Sequence, residues 1–128
     1  MWRSFVERST PGVSPTNWDK RLMGGQKVFA RVNFLQTTSE RIADVATVVR
    51  DVVHPGIRDE TGYVGYVVLG DSETGKALGV TLWQSEADRE RSDKKARQIR
   101  PRVEQATGGT MQSVERYDVL FFDVRDEE

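Results

Sequence analysis

Apolar residues run almost unbroken through 63–69 and again through 77–83, with the turn-forming Asp71-Ser72-Glu73-Thr74-Gly75 between them. Short apolar runs around an Asp/Ser/Gly-rich turn predict two antiparallel strands, 62–69 and 76–83, joined as a hairpin. Gly65 and Gly79 fall inside these strands, where a glycine marks a bulge, a tight contact or space for a ligand. Trp83 ends the second run and Ser85 opens a charged stretch, so the hairpin feeds directly into a helix. Ser85 is its expected N-cap and Asp88 the capping partner. Glu90 with Lys94 and Asp93 with Arg97 are i,i+4 pairs on that helix. Pro101 is expected to split or kink it, and Gly108-Gly109 to end it.

The flanking segments complete the pattern. In 27–35 the side chains alternate: Val28, Ala30, Val32 and Phe34 on one face, Phe29, Arg31, Asn33 and Leu35 on the other. A helix follows, with Ile42, Val45, Val49 and Val52 at helical spacing. Thr37 is its expected cap and Glu40 the capping-box residue. Its many valines are poor helix formers, so burial has to hold it. Pro55 and Gly56 predict its end near His54. A last alternating strand is expected over 111–124.

Strand, helix, strand, strand, helix, strand with short connections predicts an α+β fold: a ferredoxin-like βαββαβ unit, with a four-stranded antiparallel sheet and both helices on one face. The other face, carrying Val28, Ala30, Val32 and Phe34, is expected to stand open. An open apolar face of that size calls for a partner, and a homodimer pairing sheet to sheet supplies one. Residues 1–26, rich in Ser, Pro, Thr and Gly, read as an N-terminal extension, flexible or laid over the surface, or as an over-extended start ahead of Met23. The domain is expected over 27–124 and an acidic tail over 125–128.

Composition narrows the chemistry. A chain of 128 residues suits one domain, and 19 basic against 20 acidic side chains give no drive toward nucleic acid or an anionic membrane. With no cysteine, disulfides, thiolate catalysis and cysteine metal sites are excluded. No run is long and apolar enough for a transmembrane helix, so a cytoplasmic protein is the default expectation. The basic residues of the second helix are interleaved with Glu86, Asp88, Glu90 and Asp93 and read as a solvated face. No P-loop, dinucleotide fingerprint or HExxH motif is present.

Four residues stand out. His54, the single histidine, suits acid–base work but also suits capping helix carbonyls. Asn33 is a costly amide in an apolar strand: it is either a structural hydrogen bond between sheet and helix or, with Arg31, part of a pocket. Trp83, at the strand–helix junction, joins Tyr63, Tyr66, Phe29, Phe34 and Phe121 as cavity wall for a flat aromatic ligand, or as core.

The strand 28–34 with its Asn33, the segment Gly62-Tyr63-Val64-Gly65-Tyr66, and Thr81-Leu82-Trp83-Gln84-Ser85-Glu86 before a helix resemble the antibiotic biosynthesis monooxygenase (ABM-like) family of the dimeric α+β barrel superfamily. The resemblance covers about 27–124. It implies two ferredoxin-like protomers paired into a barrel, each with a cavity between sheet and helices. It also implies oxygenation of an aromatic polyketide or quinol-like molecule with no metal, flavin or other cofactor. In that setting Asn33 and Trp83 bind and orient the substrate, Arg31 stabilises an oxyanion, and Tyr63, Tyr66 and Phe29 add binding surface. His54 serves as base if it faces the cavity. The alternative is a non-catalytic small-molecule-binding or accessory dimer. Haem-degrading relatives use a first-strand asparagine, a second-helix tryptophan and a following histidine. Asn33 matches the first of these, but Ser92 stands at the tryptophan position and no histidine follows Trp83.

Overall fold

Alternating and apolar segments become strands where their backbone groups find a ladder, and the sheet assembles in the order β2-β3-β1-β4. A computed structural model describes residues 27–125; the expected extension 1–26 and the end of the expected tail lie outside the described residues. The elements are β1 (Val28–Gln36), a 3-10 turn (Ser39–Arg41), α1 (Ile42–Val48), a π-helical segment (Val49–Val53), α2 (His54–Ile57), β2 (Tyr63–Asp71), β3 (Lys76–Trp83), α3 (Glu86–Thr107) and β4 (Thr110–Val119). The described residues fall into two units, 29–117 and the terminal stretches 27–28 with 118–125.

The antiparallel sheet with its two helical segments is a ferredoxin-like α+β arrangement. β3 sits between β1 and β2, with Arg31 opposite Thr81, Asn33 opposite Gly79, and Tyr66 and Val68 opposite the same β3 residues. Residues opposite one another share a face. Side chains from α1, α2 and α3 meet Leu35 and Ala77 in one core with Val45, Val48, Ile57, Ile99 and Val103, so the helical segments cover a single face of the sheet. The hairpin turn closes through the Gly75 N–H donating to the Asp71 carbonyl at 2.9 Å. Its Gly75 has φ +79°, and a Cβ there would overlap the Thr37 carbonyl. The ladder slips between Tyr63 and Gly65, a bulge at one of the two strand glycines.

Five local expectations are corrected. Thr38, not Thr37, caps the first helical turn, its Oγ1 accepting from Arg41 N at 3.2 Å. Thr37 is buried and donates instead to the Thr107 carbonyl at 2.8 Å, a tertiary bond that competes with the local cap. The first helical region does not stop at His54: it passes through the π-helical segment into α2, with Pro55 just after the π-helical turn. Helix α3 runs unbroken through Pro101; its apolar stripe of Ala96, Ile99 and Val103 is buried on both sides of the proline, which outweighs the one lost hydrogen bond. β4, which neighbours β1 in the sheet, ends at Val119, not 124. Beyond it Leu120 and Phe121 are 94% and 84% exposed.

The fifth correction concerns the second sheet face. Ala30 and Val32 are 4% and 8% exposed. They stand opposite Leu82 and Val80 on an interior strand, and Leu82 is itself 4% exposed, so this part of the face does not stand open. At the β2 edge, Leu69 is 52% exposed. Among the described residues no helix is long and apolar enough to cross a membrane.

Candidate functional site

Between the sheet and the helical segments lies a cavity of about 60 Å³. Its floor comes from alternate residues of three strands: Arg31, Asn33 and Leu35 of β1, Ala77, Gly79 and Thr81 of β3, Tyr66 and Val68 of β2. The period of two along each strand sends these side chains to one face. Val45, Val49, Val53 and Ile57 close one side, and Ile99, Arg100 and Val103 of α3 another. Val49 and Val53 bound the π-helical segment, a distortion that recurs at functional sites. Most of the wall is apolar; the polar groups are Arg31, Asn33, Tyr66, Thr81 and Arg100.

Arg31 is the electrostatic centre. It is 1% exposed, yet carries a charge. Its Nη1 donates to the Arg89 carbonyl and to Ser92 Oγ, both at 3.0 Å. Its Nε has no hydrogen-bond partner among the described residues. Desolvation pushes the guanidinium down to about 10; Asp93 opposes that shift, and Arg100, Arg116 and Arg89 add to it. The Arg31 guanidinium carbon lies 5.6 Å from the Trp83 ring centroid, a cation–π distance.

Asp93 holds this charge cluster from α3. Its carboxylate meets Arg31 at 3.9 Å, Arg100 at 3.4 Å and Arg116 at 3.3 Å, and pairs with Arg97 as well. Arg100 Nε donates to Asn33 Oδ1 at 3.3 Å, and Asn33 Nδ2 reaches the Gly79 carbonyl only at 3.5 Å, leaving its amide loosely held. Tyr66 makes no hydrogen bond among the described residues; burial, with Tyr63 nearby, pushes its phenol well above the usual range, against the pull of Arg31. The Thr81 hydroxyl accepts from Trp83 Nε1 at 2.8 Å and keeps its own proton to donate.

The residues singled out from sequence thus separate. Asn33, Arg31 and Tyr66 meet in the cavity. Trp83, His54, Tyr63 and Phe29 do not line it. Trp83 is fully buried and packs edge-on against Tyr63, centroids 5.8 Å apart, and Tyr63 faces His54 at 6.1 Å. These three rings form a row that ends on Arg31. Phe29 stacks under the Arg89 guanidinium at 5.6 Å. Asp93, Arg100 and Thr81 went unnoticed in the sequence as site residues. Asp93, Arg97 and Arg100 do repeat at i, i+4 and i+7, a one-face spacing that marks a cluster, but nothing local says that the face meets Arg31. Among the described residues, no three His, Asp or Glu side chains converge as metal ligands.

The fold is that of antibiotic biosynthesis monooxygenase-like, ferredoxin-like proteins. The chain is similar to a monooxygenase of Streptomyces coelicolor from the gene ActVA-Orf6, whose crystal structure holds nanaomycin D: TM-score 0.59, 15% identity, covering 88% of this chain and 97% of that one. It is also similar to a dimeric ferredoxin-like protein of an uncultured marine organism, with TM-score 0.54 and 10% identity over 76% and 99% of the two chains. In sequence it is 30% identical over 95 residues, 74% of the chain, to uncharacterised proteins of two Mycobacterium tuberculosis strains. The chain spans 42% of the length of these curated relatives. No family model matches it.

Proposed function

We infer that the cavity is the active site of a cofactor-independent monooxygenase acting on a quinol-like small molecule. The observation that carries this reading is the buried Arg31, beside Asn33, Tyr66 and Thr81, at one end of an otherwise apolar cavity. Such an end stabilises an oxyanion, and the apolar remainder suits an aromatic ring and dioxygen. A volume of about 60 Å³ is small beside the roughly 300–1,000 Å³ of pockets for drug-sized ligands, which favours a single-ring quinol over a tricyclic polyketide.

No Asp, Glu or His lines the cavity, so it supplies no ordinary base. Ionisation falls to the substrate itself, its hydroxyl made more acidic by Arg31 and Arg100. The quinolate then donates an electron pair from ring carbon to dioxygen, forming a carbon–oxygen bond. The hydroperoxide loses water as its O–O bond breaks, and the product is a hydroxyquinone. The substrate supplies all the electrons: quinol plus O2 gives hydroxyquinone plus water. Asn33 orients the ring oxygen through its loosely held amide. A homodimer paired through the second sheet face and a cytoplasmic setting complete the reading; solved proteins of this fold include dimeric ones.

The missing base also favours a second reading, a non-catalytic small-molecule-binding or accessory dimer. Oxygen uptake with hydroquinone under 18O2 separates the two. The enzyme incorporates one labelled atom per product and loses most of this in Asn33→Ala; simple autoxidation releases peroxide and leaves the product unlabelled. Saturable binding with no uptake would replace the oxygenase with the binder.

A further inference from the structure

The polar end of the cavity holds two guanidiniums and no carboxylate. Arg31 and Arg100 line it, while their common counter-ion, Asp93, does not and is divided among four arginines. A buried guanidinium is stable when its charge is paired and its donors are bonded. Arg31 meets neither condition fully: its carboxylate stands 3.9 Å away, and its buried Nε has no acceptor among the described residues. Two arginines and the loosely held amide of Asn33 thus line the cavity, with no carboxylate among the lining residues.

We propose that the cavity recognises a small carboxylate, a single-ring aromatic acid or one of similar size, with its carboxylate at Arg31 and Arg100 and its apolar body against Leu35, Ile57 and Met111. Paired N–H donors of a guanidinium fork match the two oxygens of a carboxylate. The proposal rests on the cavity being the substrate site, and narrows its ligands to those already anionic before any reaction. A quinol bearing a carboxyl group satisfies both readings.

The test uses the full chain and two probes of one shape, benzoate and benzamide, in isothermal titration. Benzoate is expected to bind at least tenfold tighter, and Arg100→Gln to bring the two within about twofold, chiefly by weakening benzoate. Equal affinities in the native chain, or a preference that survives Arg100→Gln, overturn the proposal. If that variant does not fold, salt gives the second measurement. Between 50 and 500 mM NaCl chloride competes for the guanidiniums, so benzoate affinity falls severalfold and benzamide affinity holds; parallel behaviour overturns the proposal. Oxygen uptake with hydroquinone and with 2,5-dihydroxybenzoate, a quinol that carries the carboxylate, is run alongside and keeps the failures apart. Turnover without a benzoate preference overturns the anion site and leaves the oxygenase. A benzoate preference without turnover supports the anion site and removes the oxygenase.

Discussion

Arg31 on β1 and Asp93 on α3 face each other at 3.9 Å across the space between sheet and helix, the arginine 1% exposed. The pair sets the charge of the cavity, and with it both the stability and the chemistry expected of the fold.

Asp93→Asn leaves Arg31, Arg97, Arg100 and Arg116 without the carboxylate they share. Removing one partner of a buried pair strands the other charge, and the expected loss is about 3 kcal/mol. Urea unfolding measures it, and an unchanged midpoint would show that the arginines are neutralised otherwise.

Stability should fall as the pH rises from about 10 to 12. Burial pushes the Tyr63 phenol up to about 12 and the Tyr66 phenol higher still, so across this window the unfolded chain has lost protons that the folded chain keeps. Each such phenol subtracts stability as pH rises. Arg31, pushed down to about 10, works in the opposite sense, since the folded chain gives up its proton first. Two phenols against one guanidinium leave a net decline, on the order of 1 kcal/mol per pH unit. Denaturant midpoints at pH 9 and 11 check the sign, and Tyr66→Phe should flatten the decline.

The glycines at 75 and 79 should respond unequally to alanine. At Gly75 φ is +79° and a Cβ overlaps the Thr37 backbone, so Gly75→Ala is expected to cost at least about 2 kcal/mol. At Gly79 the added methyl meets Tyr66 Oη at 3.4 Å, an ordinary contact on the cavity floor. Gly79→Ala should change stability by less than about 0.5 kcal/mol and weaken ligand binding. Melting and titration of both variants test the contrast.

Trp83→Phe removes the indole donor to Thr81 and shrinks a fully buried side chain. The expected cost is about 2 kcal/mol in unfolding. Because Trp83 does not line the cavity, ligand affinity should change less than in Asn33→Ala. A larger loss of affinity in Trp83→Phe would mean that the ring acts through Arg31, which it stacks against.

Much of this was legible from pattern. The alternation around Arg31, Asn33 and Leu35 put three cavity residues on one face, and the cap at Ser85 holds, with Asp88 N donating to its Oγ at 3.0 Å. The errors share one cause. Local spacing assigns Thr37 to a cap, but its hydroxyl donates to the Thr107 carbonyl, 70 residues away. Local geometry predicts a break at Pro101, but a buried stripe carries α3 past it.

The sequence by itself determined the elements and their faces, because strand and helix periodicities are local and a side chain's face follows from its position in the period. It also excluded cysteine chemistry and named Arg31 and Asn33. Only the tertiary structure decided which charges meet. The packing of α3 on the sheet brings Asp93 and Arg100 to Arg31 and Asn33, and it places Trp83, Tyr63 and His54 in a row behind the cavity wall. Coulombic and desolvation energies depend on distance in space and on burial, and spacing along the chain encodes neither.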